Sequence, residues 1–190
     1  MRCIVCEELS RLLICEQCQN KLLQPTLKTR KLSDSLIVYN FYEYEEIKDF
    51  INCKYQFYGD KIFDILGRLA FSKFASNFTF NNQIYSIGID DALRHNFSQS
   101  AILNSHLKSK YIIPIYGKLH AQNKIKYAGK SLEYRKTHKR DFKYTGKPNI
   151  QIILVDDIVT TGATLLEAQK KLKQYNCEVL FALTLSDAKI

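Results

Sequence analysis

The chain has 190 residues, 46% of them hydrophobic and 25% charged, which suits one full α/β core with a small appendage but is short for two full domains. Its three prolines and seven glycines argue against a long disordered linker. No apolar stretch approaches the roughly 20 residues that span a bilayer, and the N-terminus lacks the pattern of a signal peptide. We therefore predict a folded protein with no transmembrane segment and a cytoplasmic location.

The positive charge of the chain is concentrated in one segment. The formal net charge is +9, and residues 105–149 hold twelve lysines or arginines against two acids, so the remainder is close to neutral. A concentrated basic region of this kind favours an anionic partner and excludes a uniformly basic protein.

Four of the six cysteines fall in the first 18 residues, as two Cys-x2-Cys pairs separated by eight residues. They are Cys3, Cys6, Cys15 and Cys18. This is the spacing of two facing knuckles that hold one tetrahedral zinc with four thiolates, and a cytoplasmic location disfavours disulfides. We predict a structural zinc module over residues 1–24, with a redox pair or unconnected thiols as the alternative. Cys53 and Cys177 are predicted to be core residues.

The elements that follow the module alternate between strand and helix patterns. Residues 21–34 are polar and basic and are predicted to form a connector. Residues 36–42 are rich in branched and aromatic side chains, which is typical of a strand. Between residues 59 and 78 apolar side chains recur every three or four positions, which predicts a helix that packs on a sheet.

The middle of the chain gives a weaker pattern. Residues 84–89 predict a strand, and residues 90–108 predict a loop that leads into a helix. Residues 111–115 predict another strand. Because proline lacks an N–H group, Pro114 indicates that the end of this strand lies at an edge of the sheet or is a break in the strand. Residues 118–147 are basic with weak periodicity and are predicted to include a mobile loop.

The end of the chain predicts a strand, a helix and a second strand. Residues 151–155 and 179–185 are continuous apolar runs, and apolar positions between residues 165 and 175 mark one face of a helix. A strand-helix-strand unit implies a buried parallel sheet. Residues 25–190 are thus predicted to form one α/β domain, with a parallel sheet flanked by helices.

The carboxyl end of the first of these strands carries the strongest functional pattern. Asp156 and Asp157 stand where the buried strand is predicted to end, the edge at which open α/β sheets bind ligands. Unpaired N–H groups at the start of the next helix attract a phosphate, a glycine permits close approach of the backbone, and threonine hydroxyls add donors. The loop residues with these properties are Thr160, Thr161, Gly162, Ala163 and Thr164.

The adjacent carboxylates indicate a sugar beside the phosphate. They repel a phosphate but suit ribose hydroxyls, directly or through the hydration shell of Mg²⁺. The loop matches neither a Walker loop nor a dinucleotide fingerprint, and the alternative is a threonine-capped turn with two solvated aspartates. The string Ile152-Ile-Leu-Val-Asp-Asp-Ile-Val-Thr-Thr-Gly-Ala-Thr164 closely resembles the phosphoribosyl pyrophosphate signature of type I phosphoribosyltransferases. The resemblance implies that the loop binds phosphoribosyl pyrophosphate with Mg²⁺, or a related ribose phosphate.

Aromatic residues interleave with the cations of the basic segment, as they do in proteins that bind single-stranded nucleic acid. An equal alternative is a solvated loop whose cations bind the pyrophosphate of a small substrate. The candidate residues for these two roles are Arg94, Lys124, Lys126, Lys130, Arg135, Lys136, Lys139, Arg140 and Lys143.

A four-cysteine head followed by a body with this signature resembles the ComF family of competence proteins over almost the whole chain. Two further pieces carry the likeness: Tyr55-Gln-Phe-Tyr-Gly-Asp is similar to the family's glycine-containing start of a helix, and Arg94-His-Asn-Phe-Ser-Gln is similar to its Arg-Gly-Phe-Asn-Gln stretch. Residues 132–142 follow its Arg-x-x-Asn-x-x-x-Phe spacing, with His138 in place of asparagine. The resemblance implies a type I phosphoribosyltransferase-like sheet with an N-terminal zinc finger.

The resemblance also implies a function in natural transformation, handling incoming single-stranded DNA on the cytoplasmic side of the inner membrane. It makes the inner-membrane DNA-uptake machinery a candidate partner and peripheral membrane association a candidate location. The alternative is an active Mg²⁺-dependent phosphoribosyltransferase with an unknown acceptor, in which Arg94, Lys124 and Arg135 stabilise the leaving pyrophosphate. Ser86-Ile-Gly-Ile stands where the family has Pro-Val-Pro at the pyrophosphate-binding turn. This departure favours binding without turnover.

Overall fold

A computed structural model describes residues 1–92, 97–123 and 140–188. Eight strands are assigned in these residues: β1 (Lys28–Ser33), β2 (Leu36–Glu43), β3 (Ile84–Gly88), β4 (Ile112–Ile115), β5 (Leu119–Ala121), β6 (Phe142–Tyr144), β7 (Gln151–Val159) and β8 (Glu178–Asp187). The helices are α1 (Glu16–Leu22), α2 (Tyr44–Asn52), α3 (Gly59–Gly67), α4 (Lys73–Asn77), α5 (Gln99–Ser105) and α6 (Ala163–Lys173). A 3-10 turn, Cys53–Tyr55, follows α2, and a π turn, Arg68–Ser72, joins α3 to α4.

Six strands form one sheet in the order β1-β2-β8-β7-β3-β4. Strands β2, β8, β7, β3 and β4 are mutually parallel, and β1 joins the edge antiparallel to β2. Strands β5 and β6 pair with each other in a separate antiparallel ribbon. The architecture is the predicted one, a largely parallel sheet flanked by helices.

Side chains that alternate along the central strand divide the core into two faces. Ile153 and Val155 of β7 pack with α2 to α5, which we call the four-helix face. Ile152 and Leu154 pack with α6 and the β5–β6 ribbon, which we call the α6 face. This alternation follows from the two-residue repeat of a strand, and it buries β7 on both sides.

The cysteine module packs into the core of the four-helix face. Ile14 and Leu23 are fully buried in the same cluster as Phe71. The hydroxyl of Tyr42 donates to the carbonyl of Leu23 at 3.0 Å. The buried apolar contacts and this hydrogen bond tie the module to β2 and to the π turn.

The predicted strands and helices are confirmed, but the sequence did not predict α1, α2, β5 or β6. Two predicted segments also differ from the structure. The predicted connector over residues 21–34 contains β1, an edge strand whose charged residues conceal its two-residue alternation. The predicted end of the strand near residue 155 is wrong, because β7 continues to Val159. Pro114 lies in β4 at an edge of the sheet, where the missing N–H of proline is tolerated.

Within the described residues, no helix combines the length and apolar character needed to cross a membrane.

Candidate functional site

A crevice lies at the carboxyl ends of β3 and β7. The pairing of β7 with β3 ends at Val155 opposite Gly88, whereas its pairing with β8 continues to Val159. The chain passes from β3 to its outer neighbour β4, and from β7 to β8 on the opposite side. The strand order therefore reverses between β3 and β7, and ligands of open α/β sheets bind at such a point.

Asp156 and Asp157 lie on the part of β7 that extends beyond β3. Val155 and Ile158 both pack toward the four-helix face, while Leu154 and Val159 both pack toward the α6 face. The strict alternation of β7 is thus interrupted at the two aspartates. Each carboxylate accepts the N–H of the next residue, Asp156 from Asp157 at 2.9 Å and Asp157 from Ile158 at 2.9 Å.

The two aspartates have different charge environments. Burial and the charge of Asp157 raise the pKa of Asp156 to about 8, and the positive charge of Arg140 offsets part of that rise. Asp157 forms a salt bridge with Lys54, whose Nζ lies 3.1 Å from Oδ2. Burial by itself lowers the pKa of Lys54, but the charge and hydrogen bond of Asp157 outweigh it and the pKa is raised.

The loop after β7 has the geometry of a helix N-terminal anion site. Gly162 adopts the left-handed conformation, with φ of 76°, as the N-cap of α6. The hydroxyl oxygen of Thr161 accepts the N–H of Ala163 at 3.4 Å. A small cavity of about 30 Å³ is lined by Asp156 and by residues 158–165. The N–H groups of the first turn of α6 lack intrahelical acceptors by geometry, so the loop offers donors beside a carboxylate.

Strand β1 supports this loop from outside. Nη1 of Arg30 donates to the carbonyl of Thr160 at 2.7 Å and to Asp187 at 2.7 Å. A Cβ added to Gly162 would lie 2.5 Å from Cδ1 of Leu32. Glycine at this position therefore satisfies both the positive φ and the close approach of β1.

The end of β3 presents two further aspartates, which hold the ribbon. Asp90, with φ of 47°, accepts the N–H of Ala121 at 3.1 Å. Asp91 is buried and accepts the N–H of Gly117 at 2.7 Å. Burial raises the pKa of Asp91. Both carboxylates are thus engaged with backbone N–H groups around β5.

Arg140 is the basic candidate that the structure brings to the crevice. Its guanidinium lies 3.8 Å from Asp90, and its backbone N–H donates to Glu167 of α6 at 3.1 Å. Lys143 is exposed on β6. The other seven basic candidates lie outside the described residues: Arg94, Lys124, Lys126, Lys130, Arg135, Lys136 and Lys139.

The four N-terminal cysteines converge as the spacing predicts. Their Sγ atoms all lie within 4.8 Å of one another, and those of Cys6 and Cys15 are 3.7 Å apart. A tetrahedral zinc bound at about 2.3 Å places its sulfur ligands roughly 3.8 Å apart, so the cluster fits zinc. Burial raises the pKa of Cys3, but backbone N–H donors outweigh it and lower the pKa to about 6. Burial and the neighbouring cysteines raise the pKa of Cys18 to about 12. Outside the cluster, Cys177 is buried and Cys53 partly buried.

The carboxylates of β7 do not fit a magnesium ion held by the protein. A metal site held by the protein needs several His, Cys, Asp or Glu side chains close together. Among the described residues, the four N-terminal cysteines form such a group of three or more, and Asp156 and Asp157 do not belong to one. One oxygen of Asp157 bonds to Lys54 and the other accepts a backbone N–H. A magnesium ion bound to either oxygen would lie close to the ammonium charge, which repels it.

Five residues around the site were not predicted from the sequence: Arg30, Lys54, Asp90, Asp91 and Glu167. Arg30 and Lys54 contact residues more than 100 positions away, and no local pattern indicates such contacts. The charged residues of β1 conceal the alternation of that strand, so the sequence gives no signal for Arg30. Lys54 directly precedes the Tyr55-Gln-Phe-Tyr-Gly-Asp stretch, which predicts the start of a helix but no role for the lysine.

No protein-family model and no curated protein matches the sequence. Solved structures similar to it include a hypoxanthine phosphoribosyltransferase from Staphylococcus aureus, at 12% identity and a TM-score of 0.41, covering 67% of this chain and 64% of that one. Adenine phosphoribosyltransferase from Saccharomyces cerevisiae aligns at 14% identity and a TM-score of 0.40, over 90% and 87%. UMP synthase from Leishmania donovani aligns at 17% identity and a TM-score of 0.40, over 66% and 22%. The chain thus spans less than two thirds of the first and third of these proteins.

Proposed function

We propose that the crevice between β3 and β7 binds phosphoribosyl pyrophosphate or a related ribose phosphate. The observation that carries the proposal is Gly162, which is left-handed at the start of α6 and stands five positions after the adjacent carboxylates Asp156 and Asp157. The phosphate binds the N–H groups of the loop, and Asp156 and Asp157 accept hydrogen bonds from ribose hydroxyls. The signature string of the sequence supports the same ligand.

The charge at the end of β3 favours binding without turnover. A phosphoribosyltransferase stabilises a leaving pyrophosphate, which carries several negative charges. Asp90 and Asp91 lie at the turn where the resemblance places pyrophosphate, and they hold the ribbon through backbone N–H groups. Two carboxylates oppose a polyanion there, whether the pyrophosphate is still bonded to the ribose or is leaving. They disfavour pyrophosphate binding, and therefore catalysis, and leave binding of the sugar phosphate intact. Any Mg²⁺ then arrives as the chelate of the pyrophosphate rather than as an ion held by the protein.

For the whole protein we propose a competence function in natural transformation, in which it handles incoming single-stranded DNA on the cytoplasmic side. The support is the ComF resemblance, the concentrated charge of residues 105–149, and the position of Arg140 beside the crevice. The ribose phosphate site then binds a nucleotide, a strand terminus or phosphoribosyl pyrophosphate itself. Peripheral association with the inner membrane and contact with the uptake machinery belong to the same proposal.

Ligand binding is tested by calorimetric titration with matched sugars in magnesium buffer. We expect binding of ribose 5-phosphate, about tenfold weaker binding of its 2-epimer arabinose 5-phosphate, and no detectable binding of ribose. The phosphate loop requires the phosphate, and the carboxylates distinguish the hydroxyl orientation. Equal affinity for the two epimers, or no binding of ribose 5-phosphate, would contradict the proposal.

Turnover is tested by incubating the protein with phosphoribosyl pyrophosphate, Mg²⁺ and a panel of bases and amines. We expect no acceptor-dependent release of pyrophosphate. Release that requires an acceptor and disappears in the Asp156→Asn/Asp157→Asn variant would establish the alternative, an active phosphoribosyltransferase.

Binding of DNA is tested by the salt dependence of single-stranded DNA affinity. Each phosphate contact should contribute about 0.7 to the slope of log affinity against log salt. Replacing Lys136, Lys139 and Arg140 together should reduce both the slope and the affinity. A slope near zero, or an unchanged slope in the triple variant, would remove DNA binding by the basic segment from the proposal.

A further inference from the structure

Lys54 reaches the crevice from the four-helix face, through the 3-10 turn that ends α2. Its Nζ donates to Oδ2 of Asp157 at 3.1 Å. Both side chains are largely buried, with 21% and 20% of their surfaces exposed. The ammonium group also lies 5.7 Å from the ring centroid of Tyr55, so its position is defined by two neighbours.

Burying an ion pair costs desolvation energy and is weak evidence for stability by itself. Its location suggests a different role. The cavity beside the phosphate loop is lined by Asp156, and a second carboxylate next to it repels an incoming phosphate. A cation bonded to Asp157 reduces that repulsion while leaving Asp156 beside the loop.

A divalent cation would neutralise the same carboxylates, but it has different requirements. Mg²⁺ needs octahedral oxygen ligands at 2.0 to 2.1 Å and commonly keeps several waters. Lys54 already bonds to the oxygen of Asp157 that is not engaged with the backbone. A magnesium ion bound to this carboxylate would lie beside the ammonium group, and the two positive charges would repel each other.

We propose that Lys54 takes the place of a divalent cation at the two carboxylates, so that the crevice binds ribose 5-phosphate without a metal ion held by the protein. Lys54 acts through Asp157 as a positioning residue, because it neutralises the carboxylate and fixes its orientation. This inference rests on the proposed ribose phosphate site for its ligand, but its statement about metal binding stands independently.

The claim that the carboxylates hold no divalent cation is tested with Mn²⁺ alone, as a paramagnetic substitute for Mg²⁺. The full chain loaded with zinc is used. Free Mn²⁺ is measured by electron paramagnetic resonance. We expect that the wild type binds no Mn²⁺ at concentrations below millimolar. Lys54→Met should bind Mn²⁺ at least about tenfold more tightly, because that change leaves a buried carboxylate without its cation. The added affinity should be absent in Lys54→Met/Asp157→Asn and in Lys54→Arg.

The ligand statement is tested by titrating ribose 5-phosphate into the zinc-loaded protein, once in buffer freed of divalent ions by a chelating resin and once in the same buffer with Mg²⁺. The wild-type affinity should agree within about threefold in the two buffers. Lys54→Met should lose at least about tenfold in the metal-free buffer and recover part of the loss in Mg²⁺, whereas Lys54→Arg should stay close to the wild type in both. Partial recovery by Mg²⁺ distinguishes charge compensation from a merely structural role.

Three results would overturn the inference. The first is micromolar Mn²⁺ binding by the wild type that Asp157→Asn removes. The second is a wild-type affinity for ribose 5-phosphate at least tenfold weaker in the metal-free buffer than in Mg²⁺, and the third is equal affinities of Lys54→Met and wild type in the metal-free buffer. If Lys54→Met does not fold, the two wild-type measurements still show whether the site needs a metal ion. Failure to bind ribose 5-phosphate in either buffer would instead refute the proposed function, and the Mn²⁺ titration would then test the metal statement alone.

Discussion

On the four-helix face, α2 to α5 and the cysteine module cover the sheet with apolar side chains. On the α6 face, the phosphate loop adjoins the crevice at the strand ends, and the ribbon is held by carboxylates from the end of β3. Both faces bury apolar side chains, and the larger cluster, on the four-helix face, supplies more of the stability. The second carries the polar groups that the proposed ligand needs. A perturbation of the first face should therefore change stability most, and a perturbation of the second should change binding most.

Removal of zinc should give the largest effect, on the four-helix face. Ile14 and Leu23 are held in the core by the cysteine module, so chelation under reducing conditions should lower the unfolding midpoint by more than about 10 °C. The measurement is scanning calorimetry together with elemental analysis. Cys53→Ser, outside the cluster, should keep both the zinc and the midpoint. A zinc-free protein with the wild-type midpoint would refute the four-thiolate site.

Substitution of the loop glycine should affect the α6 face instead. Gly162→Ala places a Cβ against Leu32 in a left-handed backbone, and we expect ribose 5-phosphate affinity to fall at least about tenfold. Gly117→Ala is the matched control, because its φ is 62° and its Cβ would lie 3.8 Å from the nearest atom, in His120. Gly117→Ala should lose about 1 to 2 kcal/mol of unfolding free energy for its left-handed backbone, and Gly162→Ala should lose that amount and the further cost of displacing Leu32. Equal affinities in the two variants would contradict the assignment of the loop.

Asp91 tests whether the end of β3 supports the ribbon or contacts the ligand. Asp91→Ala removes the acceptor of the Gly117 N–H and should cost about 1 to 3 kcal/mol of unfolding free energy in urea denaturation. Asp91→Asn keeps an acceptor oxygen and should cost less. Affinity for ribose 5-phosphate should change less than about threefold in both variants. A larger loss of affinity in Asp91→Asn would place the ligand at β3.

The dependence of stability on pH tests a single group at the end of β7, Asp156. Because the pKa of Asp156 is raised from 3.8 to about 8, the folded state retains a proton that the unfolded state releases. The contribution of Asp156 is therefore fully present below about pH 4 and is lost as pH rises toward about 8. Urea denaturation between pH 5 and pH 8 should show this decline. The decline should be weaker in Asp156→Asn and unchanged in Asp34→Asn, whose side chain is fully exposed; a wild-type slope in Asp156→Asn would contradict it.

The sequence predicted those parts of the protein that depend on short-range patterns. The two Cys-x2-Cys pairs, the strand-helix-strand unit and the glycine loop each lie within a few tens of residues, and each has one stable local geometry. The position of Arg140 at the crevice could not be predicted, because it depends on the separate pairing of β5 with β6. Binding of ligand by the predicted site residues stays a prediction.

The roles of Lys54 and Arg30 could not be predicted from the sequence either. A lysine after an amphipathic helix and an arginine in a polar edge segment are ordinary solvated residues in sequence terms. Only the order of the strands places them beside Asp157 and Thr160.

The sequence by itself determined the chemistry of this protein: four thiolates spaced for one metal, two carboxylates, and a glycine before a helix. The tertiary structure decided the charge around that chemistry, because parallel strands that are distant in sequence meet at one edge of the sheet. It brought an ammonium group to Asp157 and placed two further carboxylates at the neighbouring strand end. Electrostatic interactions depend on distance in space rather than along the chain, and this is why the proposed balance between binding and turnover emerged only from the fold.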